Sequence, residues 1–507
     1  MNRPRVFILD IAVFLCGAIV MVYEIIGSRL LSPYIGSSIY IWTSLIGVIL
    51  GSLSLGYWLG GRFADRKCEM RILASVIFAA AGLIAVTTLI KDIFLSMLAA
   101  SAMILEIKAL IASLILFAPA SVFLGMVTPY AIKLKVSSLE TTGRTVGNLY
   151  ALSTIGSIVG TFAAGFLFVP FVGSVRTLYL IAATLFVIAI VLFPLRLTQF
   201  NIAVIALFVI GVVASEYTRL YEYETSELID VDTEYSRVQV FRSVDPLTSR
   251  PIRSYATDPF FAQSAMYFDS DELVFPYAKF FDLVGHFDPQ FQRTLLIGSG
   301  AFSYPKHYLE TFPNATIDVV EIDPSVRDIA RKYFRLKDDP RMQMIDKDGR
   351  EFLNNAHGGQ YDAIFLDAFG SLFSVPYQLT TKEAVGRMSR TLNDRGVVLA
   401  NIGSSITGDA GHFLRAEIAT YRAVFPHVYI FKVRSDKKDS DLQNIVLVAL
   451  KSEVPAELQT ADTHLNELLS YAYTAPLDIT EPVLTDDLAP VEYYSSVAQR
   501  MYLANRR

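Results

Sequence analysis

Cysteine, histidine and charged residues are scarce in this sequence. Its 507 residues include 2 cysteines and 6 histidines, and 18% are charged. Cys16 and Cys68 provide neither a disulfide framework nor the spacing of a metal site. Zinc, thiol and Ser-His-Asp motifs are also missing, so we expect no metal and none of the corresponding chemistries. The net charge of −5 gives no electrostatic case for a nucleic-acid partner.

Apolar residues, by contrast, are abundant and unevenly distributed. They make up 53% of the chain, and residues 6–215 are almost devoid of charge outside short clusters. Residues 216–507 have the composition of a soluble domain. The first apolar run, residues 6–26, is too long for the apolar core of a signal peptide and is followed by further runs. The composition therefore predicts a membrane half followed by a soluble half.

Seven apolar segments in the first half approach the length of about 20 residues that a membrane span needs. The last segment is the weakest because its apolar core is short. A further apolar stretch, residues 93–105, suits an interfacial helix. Gly156 and Gly160, four residues apart, predict close helix packing. The predicted segments are residues 6–26, 39–61, 72–90, 109–132, 146–169, 175–195 and 201–215.

Lysine and arginine concentrate in loops that fall on one side of the membrane, which predicts that this side is cytoplasmic. These loops are residues 62–71, residues 133–145 and the residues before the first span. A seventh full span would place the soluble half outside the cytoplasm, which conflicts with the use of a nucleoside cofactor made in the cytosol. If residues 201–215 are re-entrant or interfacial, the soluble half returns to the cytoplasm. We expect a multi-pass protein of a bacterial-type inner (plasma) membrane with a cytoplasmic soluble half, and the opposite side stays open.

Residues 293–323 predict a nucleoside-binding unit of strand, glycine turn, helix and strand. The first apolar run stops at Gly298-Ser299-Gly300, where glycines allow a tight turn and a close approach of a ligand to the backbone. Glu321 follows the second run about 20 residues later, the place of an acid that binds the two hydroxyls of a ribose.

Further strands and helices alternate after this unit, which predicts a parallel sheet with helices on both faces. Asp348 and Asp367 follow the third and fourth predicted strands, so with Glu321 they are expected to converge on one crevice. The runs 236–243 and 252–257 flank a turn and predict a β-hairpin. Late runs 428–433 and 445–450 predict an antiparallel pair that closes the sheet.

The predicted fold class is a multi-pass α-helical membrane domain followed by an α/β Rossmann-like domain of the class I methyltransferase type with a small N-terminal β-subdomain. We expect four regions along the chain. They are a transmembrane domain of about seven segments (1–217), a linker with a small β-hairpin subdomain (218–270), the Rossmann-like domain (271–452) and a C-terminal helical tail packing near the site (453–507).

A crevice rich in carboxylates, without His or Cys at the strand ends, suits an amine substrate. An amine nucleophile must lose a proton, and Asp367 is placed to receive it. Transfer from a sulfonium donor needs mainly in-line positioning, because the leaving thioether is neutral.

The order of motifs in the soluble half resembles spermidine synthases, the polyamine aminopropyltransferases. The segments that carry the resemblance are LLIGSG, VVEIDPSVRDIARKYF, DDPRMQMIDKDGREFL and YDAIFLDAFG. Together with the N-terminal spans and the late segment LTDDLAPVE, nearly the whole chain resembles membrane-fused spermidine synthase-like proteins. The resemblance implies roles for seven residues. Gly298 and Gly300 would line the nucleoside, Glu321 would hold the ribose hydroxyls, and Asp348 would hold the adenine amino group. Gly349 would belong to the same cofactor site, Gln263 would lie near the donor, and Asp367 would be the catalytic base.

Three positions depart from the soluble synthases. Ala301 stands where they have an aspartate for the aminopropyl amine, and Gly370 stands where they have the aspartate that grips the diamine. Their tyrosine-containing diamine motif falls near Phe275-Pro276 here. The nucleoside half of the site is therefore kept, whereas putrescine is a doubtful acceptor. Asp486 and Asp487 lie in a segment that resembles the family, with no role assigned.

The resemblance implies a membrane-bound transferase that moves an aminopropyl group from decarboxylated S-adenosylmethionine to an amine acceptor. One alternative is an S-adenosylmethionine-dependent methyltransferase acting on a membrane-associated substrate. Another is a sensor or transporter whose soluble half binds a nucleoside or polyamine without turnover. The expected partners are the lipid bilayer and a small amine, with a homodimer as an open alternative.

Overall fold

The computed structural model describes residues 3–36, 38–101, 103–136, 142–194, 198–257, 261–369 and 375–505. It divides into two compact units, Met1–Ser226 with Asp230–Arg237 and Glu227–Ile229 with Val238–Arg507. Gly370, the expected substitute for a diamine-binding aspartate, lies outside the described residues.

The N-terminal unit consists mainly of long apolar helices. Among the described residues, six helices are long and apolar enough to cross a membrane, and α4 with α5, bent by 53°, adds a seventh crossing if the pair is one span. The predicted multi-pass helical domain is therefore confirmed. A π-helical turn, Ala164–Val172, continues α6. The helices are α1 (Arg3–Ile35), α2 (Ile39–Arg66), α3 (Met70–Ala100), α4 (Leu105–Leu116), α5 (Ala118–Lys135), α6 (Thr142–Ala163), α7 (Ser174–Leu192) and α8 (Gln199–Ser226).

One sequence-based expectation about these helices is wrong. Residues 93–100 belong to α3 and do not form a separate interfacial helix. The adjacent charges do not end α3 because the Lys91 ammonium pairs with the Asp92 carboxylate at 2.5 Å. The segment 201–215 is part of α8, a continuous helix of 28 residues that also takes in the first part of the expected linker.

At the bend between α4 and α5, side chains of two other helices bind the backbone carbonyl of Leu116, the last residue of α4. It accepts hydrogen bonds from the Tyr23 hydroxyl (2.8 Å) and from the Thr87 hydroxyl (2.8 Å). A carbonyl without a partner costs several kcal/mol in an apolar medium. These two side chains therefore stabilise the bend.

Glycines allow α1 and α6 to touch along their backbones. A Cβ added at Gly156 would overlap the carbonyl oxygen of Phe14, and one at Gly160 would overlap that of Ala18. The close packing that the sequence predicts for this pair of glycines is therefore present.

The C-terminal unit contains most of the strands, arranged in two sheets. The smaller sheet has the order β1-β2-β3-β4, and β3 pairs antiparallel with both β2 and β4. The predicted hairpin is its middle pair. Its strands are β1 (Ile229–Asp232), β2 (Arg237–Val244), β3 (Pro251–Ala256) and β4 (Ser264–Tyr267).

The larger sheet of the described residues has seven strands in the order β10-β11-β9-β8-β5-β6-β7. The first five in sequence are parallel, and β11 is antiparallel to both β9 and β10. The order and the antiparallel end confirm the predicted class I methyltransferase-type domain. The strands are β5 (Arg293–Ile297), β6 (Thr316–Glu321), β7 (Met342–Asp346), β8 (Tyr361–Leu366), β9 (Leu392–Ser404), β10 (His427–Lys432) and β11 (Gln443–Leu450).

Both faces of this sheet are buried. Leu296, Val319 and Phe365 belong to the hydrophobic cluster on one face, whereas Leu295 and Val320 belong to the cluster on the other. Adjacent residues alternate between the faces because side chains in a strand have a period of two. Continuous apolar runs are therefore what this sheet requires.

Helices alternate with the strands of the sheet, as predicted. Residues 276–287 form two short helices separated by a 3-10 turn at Phe280–Leu283, and the described part of the expected C-terminal helical tail is helical only at Thr463–Leu469 and Val491–Asn505. The helices are α9 (Pro276–Lys279), α10 (Val284–Phe287), α11 (Ser303–Thr311), α12 (Ser325–Tyr333), α13 (Gly349–Asn355), α14 (Lys382–Thr391), α15 (His412–Arg422), α16 (Thr463–Leu469) and α17 (Val491–Asn505).

Candidate functional site

The site begins where the strand order of the large sheet reverses, between β5 and β8. In such sheets ligands bind outside the carboxyl ends of the strands at this point. Gly298 follows β5 with φ +87°, and a Cβ there would lie 2.6 Å from the carbonyl oxygen of Asp367. The Asp367 amide in turn donates to the Ile297 carbonyl at 2.9 Å. A glycine at position 298 is therefore required for the turn after β5 to pack against the loop after β8.

Glu321, the last residue of β6, is bound to the glycine turn. Its Oε2 atom accepts hydrogen bonds from the amide (2.9 Å) and the hydroxyl (2.6 Å) of Ser299, and Oε1 accepts from the Asp323 amide (3.1 Å). Burial raises the pKa of the Glu321 carboxyl, and these hydrogen bonds oppose that rise. The carboxylate oxygens keep lone pairs for further donors such as hydroxyl groups.

Asp367 follows β8 and is held by two hydrogen bonds from elsewhere in the unit. Its Oδ2 atom accepts from the Tyr277 hydroxyl at 3.0 Å, and Oδ1 accepts from the Asn401 side-chain amide at 2.9 Å. The surrounding protein raises the pKa of Asp367 to about 7, because desolvation disfavours its charged form more than the two donors favour it. A carboxyl group with this pKa can gain or lose a proton near neutral pH.

The two donors to Asp367 are functional candidates that the sequence did not reveal. Asn401 is buried in β9, and its side-chain oxygen accepts a hydrogen bond from the Asn444 amide at 3.0 Å. Tyr277 lies in α9, one residue beyond the Phe275-Pro276 pair to which the diamine motif was assigned. If the tyrosine-containing diamine motif of the soluble synthases is aligned one residue later, it falls on Tyr277. No comparable signal marks Asn401.

Asp348 and Gly349 occupy the start of α13. The Asp348 carboxylate accepts the Glu351 amide at 2.9 Å, so it caps the helix. A Cβ at Gly349 would lie 2.6 Å from a methyl group of Ile297, which places this glycine against the end of β5. Gly349 therefore lies at the end of β5, the strand that leads into the glycine turn. The Asp348 side chain, by contrast, makes the hydrogen bond that caps α13.

Gln263 and Gly300 meet at the edge of the small sheet. A Cβ at Gly300, which has φ +51°, would lie 3.4 Å from the Gln263 carbonyl oxygen and 3.2 Å from Cβ of Ser264. The Gln263 side chain donates to the Phe261 carbonyl at 2.9 Å and accepts the Thr257 amide at 2.6 Å. Its backbone carbonyl therefore lies beside the glycine turn.

The remaining positions of interest are Ala301, Asp486 and Asp487. Ala301 is fully buried in the core, so it offers no polar group to a ligand. Asp486 binds Arg350 at 2.6 Å and the Thr381 hydroxyl at 2.6 Å, which ties the late segment to the starts of α13 and α14. Burial acts to raise the pKa of Asp486, but these hydrogen bonds outweigh it and hold the pKa below its usual value. Asp487 is exposed.

The arrangement combines three chemical capabilities. The turn at Gly298 allows a ligand to approach the backbone, the neighbouring Glu321 can accept hydroxyl hydrogens, and Asp367 can exchange a proton near neutral pH. Within the described residues, no group of three His, Cys, Asp or Glu side chains is arranged to hold a metal ion.

Comparisons with known proteins point to one family for the C-terminal half. Residues 282–433 match the family described as spermine/spermidine synthase domain. A polyamine aminopropyltransferase of Vibrio vulnificus is 33% identical over 186 residues, which cover 36% of this chain and 58% of that protein. A probable polyamine aminopropyl transferase of Bifidobacterium longum is 26% identical over 219 residues, covering 39% and 48%. The chain thus spans about half the length of these curated relatives, and the resemblance to this family is confirmed for its C-terminal half.

A methyltransferase and a solved structure are also similar to this half. The eEF1A lysine and N-terminal methyltransferase of Homo sapiens is 26% identical over 152 residues, covering 28% of this chain and 21% of that protein. The crystal structure of a probable spermidine synthase from Corynebacterium glutamicum aligns with a TM-score of 0.40 at 20% identity, covering 46% of this chain and 83% of that one.

Proposed function

From the match of residues 282–433 to the spermine/spermidine synthase domain, we propose that this protein is a membrane-bound transferase that moves an aminopropyl group to an amine. The donor is decarboxylated S-adenosylmethionine or a close relative. The observation that carries the proposal is Asp367, a carboxyl group at the strand-order reversal whose pKa is raised to about 7. The membrane association follows from the apolar helices of the N-terminal unit.

In the proposed reaction the acceptor nitrogen attacks the carbon attached to the donor sulfonium. The new N–C bond forms as the C–S bond breaks, and the bonding electron pair leaves with the sulfur as a neutral thioether. The nitrogen loses a proton to Asp367, whose raised pKa makes it a stronger base than an ordinary aspartate. Tyr277 and Asn401 orient the carboxylate by donating to its two oxygens.

The donor's nucleoside is assigned to the neighbouring strand ends. Glu321 accepts the ribose hydroxyls, and Asp348 accepts the adenine amino group. Gly298, Gly300 and Gly349 keep the surrounding backbone clear of side chains. The fit of Glu321 is supported by its contact with the Ser299 amide and hydroxyl, which fixes the carboxylate beside the glycine turn. Gln263 contributes through its backbone beside Gly300.

A second candidate is methyl transfer from S-adenosylmethionine. Two observations favour it: the similarity to an eEF1A lysine and N-terminal methyltransferase, and the burial of Ala301, which offers no carboxylate for an aminopropyl amine. The same base and the same ribose acid would serve this reaction. The acceptor would be an amine of a membrane-associated substrate.

The test is to incubate the purified full chain with each donor and a panel of amines, and to read the products by mass spectrometry. Gain of an aminopropyl mass is expected with the decarboxylated donor, and gain of a methyl mass would instead establish the second candidate. Asp367→Asn should lower the rate by about 10²–10⁴-fold. Asp394→Asn, at an exposed position, is the matched control. Donor binding without any product would point to a sensor or transporter and would overturn both candidates.

A further inference from the structure

We infer that the chain crosses the membrane seven times and that its C-terminal unit emerges on the face opposite the lysine- and arginine-rich loops, outside the cytoplasm. The inference rests on contacts within the N-terminal unit and does not depend on the proposed reaction. It replaces the expectation of a cytoplasmic soluble half, which required residues 201–215 to be re-entrant or interfacial.

The bent pair α4–α5 connects opposite ends of the bundle and is therefore one crossing. At its beginning, the Lys108 ammonium donates to the Ala99 carbonyl at 2.7 Å, so α4 starts beside the end of α3. At its end, the Lys133 ammonium binds the Asp65 carboxylate at 2.8 Å, beside the end of α2. A re-entrant loop would return both of its ends to the same face.

Parallel helix pairs give the direction of the later crossings. A Cβ at Gly82 of α3 would lie 3.1 Å from a methyl group of Val204, and one at Gly211 of α8 would lie 2.7 Å from a methyl group of Leu89. Later residues of α3 thus meet later residues of α8, so the two helices run in the same direction. By the same kind of contact α6 runs parallel to α1. The end of α8 therefore lies at the face where α3 ends.

Polar contacts gather at that face and include the segment that follows α8. Tyr34 at the end of α1 donates to Asp92 of α3 at 2.5 Å. The Ser174 amide at the start of α7 donates to Asp232 at 2.7 Å, and Arg29 donates to the Thr233 carbonyl at 3.5 Å. Residues 230–237 are thus bound to the ends of α1 and the start of α7, and the chain leaves the bundle from this face.

The distribution of positive charge decides which face is cytoplasmic. Lysine and arginine near the ends of spans favour the cytoplasmic side, whereas acidic residues contribute little. The face opposite the end of α8 holds Arg3, Arg5, Arg62, Arg66, Lys67, Arg71, Lys133, Lys135 and Arg144. The face at which α8 ends holds the smaller set Arg29, Lys91, Lys108, Arg176 and Arg219. The first face is therefore cytoplasmic.

This orientation has a consequence for the substrates, which rests on the proposed function. Asp367 and Glu321 belong to the C-terminal unit. The amine acceptor and the sulfonium donor would then be taken up from the extracytoplasmic face, so a donor made in the cytoplasm must first cross the membrane.

The chain's own cysteine provides the test. Cys68 is exposed between α2 and α3, on the face assigned to the cytoplasm, and Cys16 is buried. A second reporter is Ser435→Cys or Ser440→Cys, at exposed positions of the C-terminal unit, in a background with Cys16→Ala and Cys68→Ser. Spheroplasts that express the full chain are treated with a membrane-impermeant maleimide before and after lysis.

We expect both introduced cysteines to react in intact spheroplasts and Cys68 to react only after lysis. The variant without cysteines reports background labelling. Two results would overturn the inference. One is labelling of Cys68 from outside. The other is protection of both introduced cysteines until lysis, which would mean an even number of crossings. Either result leaves the mass-spectrometric test of the reaction unaffected, so the two proposals can fail separately.

Discussion

The hydrogen-bonded chain from Asn444 through Asn401 to Asp367 links the catalytic candidate to the antiparallel end of the sheet. Asn401 donates one amide hydrogen to Asp367 and accepts one from Asn444, so its side chain has a fixed orientation. A hydrogen bond to a charged group contributes about 1.5–3 kcal/mol. Asn401 should therefore set the pKa of the base as well as its position.

We predict that Asn401→Ala moves the acidic limb of the pH–rate profile to higher pH by about one to two units. The base must be ionised to accept a proton, so the rate of the wild type should fall as the pH drops through about 7. Loss of the amide donor disfavours the carboxylate and raises its pKa further. The measurement is kcat/KM against pH. The control is Asn355→Ala, an exposed asparagine of α13; an equal shift in the control would refute the assignment.

The same group makes a prediction about stability. The folded pKa of Asp367 lies above its ordinary value of 3.8, so the unfolded chain loses this proton first as the pH rises. Between about pH 4 and pH 7, Asp367 is ionised in the unfolded chain but still protonated in the folded chain. The stability of the C-terminal unit therefore falls as the pH rises through this range. Asp367→Asn should flatten the pH dependence of Tm over this range, measured on the full chain in detergent. An unchanged slope would show that the carboxyl group is solvated.

At this scale the sequence revealed the acids but not their partners. Glu321 and Asp367 could be predicted because each follows an apolar run in a parallel sheet. Tyr277 and Asn401 lie 90 and 34 residues from Asp367, and only the folded chain brings them to its two oxygens. Asp348, by contrast, has a local partner, because its side chain caps α13 through the Glu351 amide three residues later.

Among the elements, the turn after β5 depends most strongly on one residue type. Gly298 has φ +87°, and a Cβ there would press on the carbonyl oxygen of Asp367 at 2.6 Å. We predict that Gly298→Ala destabilises the C-terminal unit by about 1–3 kcal/mol and weakens donor binding. The control is Gly386→Ala in α14, where a Cβ meets open space. It should be neutral or stabilise by up to about 1 kcal/mol. Equal Tm values for the two variants would contradict the prediction.

The packing of α1 against α6 makes a second prediction for an element. Gly156→Val should separate the helices, because any Cβ at this position overlaps the Phe14 carbonyl. Gly147→Val, in the same helix but facing open space, controls for the loss of a glycine. We expect less folded, monodisperse protein after detergent extraction for Gly156→Val alone. If both variants extract equally well, the contact does not hold the bundle together.

Elements could be predicted from the sequence wherever burial was uniform. The parallel strands β5–β8 are apolar runs that end at, or just before, a glycine or an acidic residue, and all four were predicted. The first and last strands of the small sheet were missed because each has four residues and one lies in an acidic stretch. α3 was cut short in the prediction because Lys91 and Asp92 look like a helix boundary, whereas their ion pair lets the helix continue.

Across the whole molecule, the candidate site is confined to one unit. Gly298, Glu321, Asp348 and Asp367 all belong to Glu227–Ile229 with Val238–Arg507. A ligand that binds only the folded state stabilises what it touches, by about 2.7 kcal/mol at a hundredfold excess over Kd. Donor binding should therefore stabilise the C-terminal unit without stabilising the membrane helices.

We predict that a sulfonium donor slows hydrogen exchange at residues 297–302, 319–323 and 366–369 and leaves α1–α8 unchanged. S-adenosylmethionine and its decarboxylated form share the adenosine and the sulfonium, so both should protect the glycine turn and the end of β6. They differ in the tail, which must pass Asp367, and the donor that protects residues 366–369 more strongly is the better substrate. Glu321→Gln should weaken protection by both donors. Protection by neither, or protection that survives Glu321→Gln unchanged, would remove the basis for the nucleoside site and with it the proposed transfer.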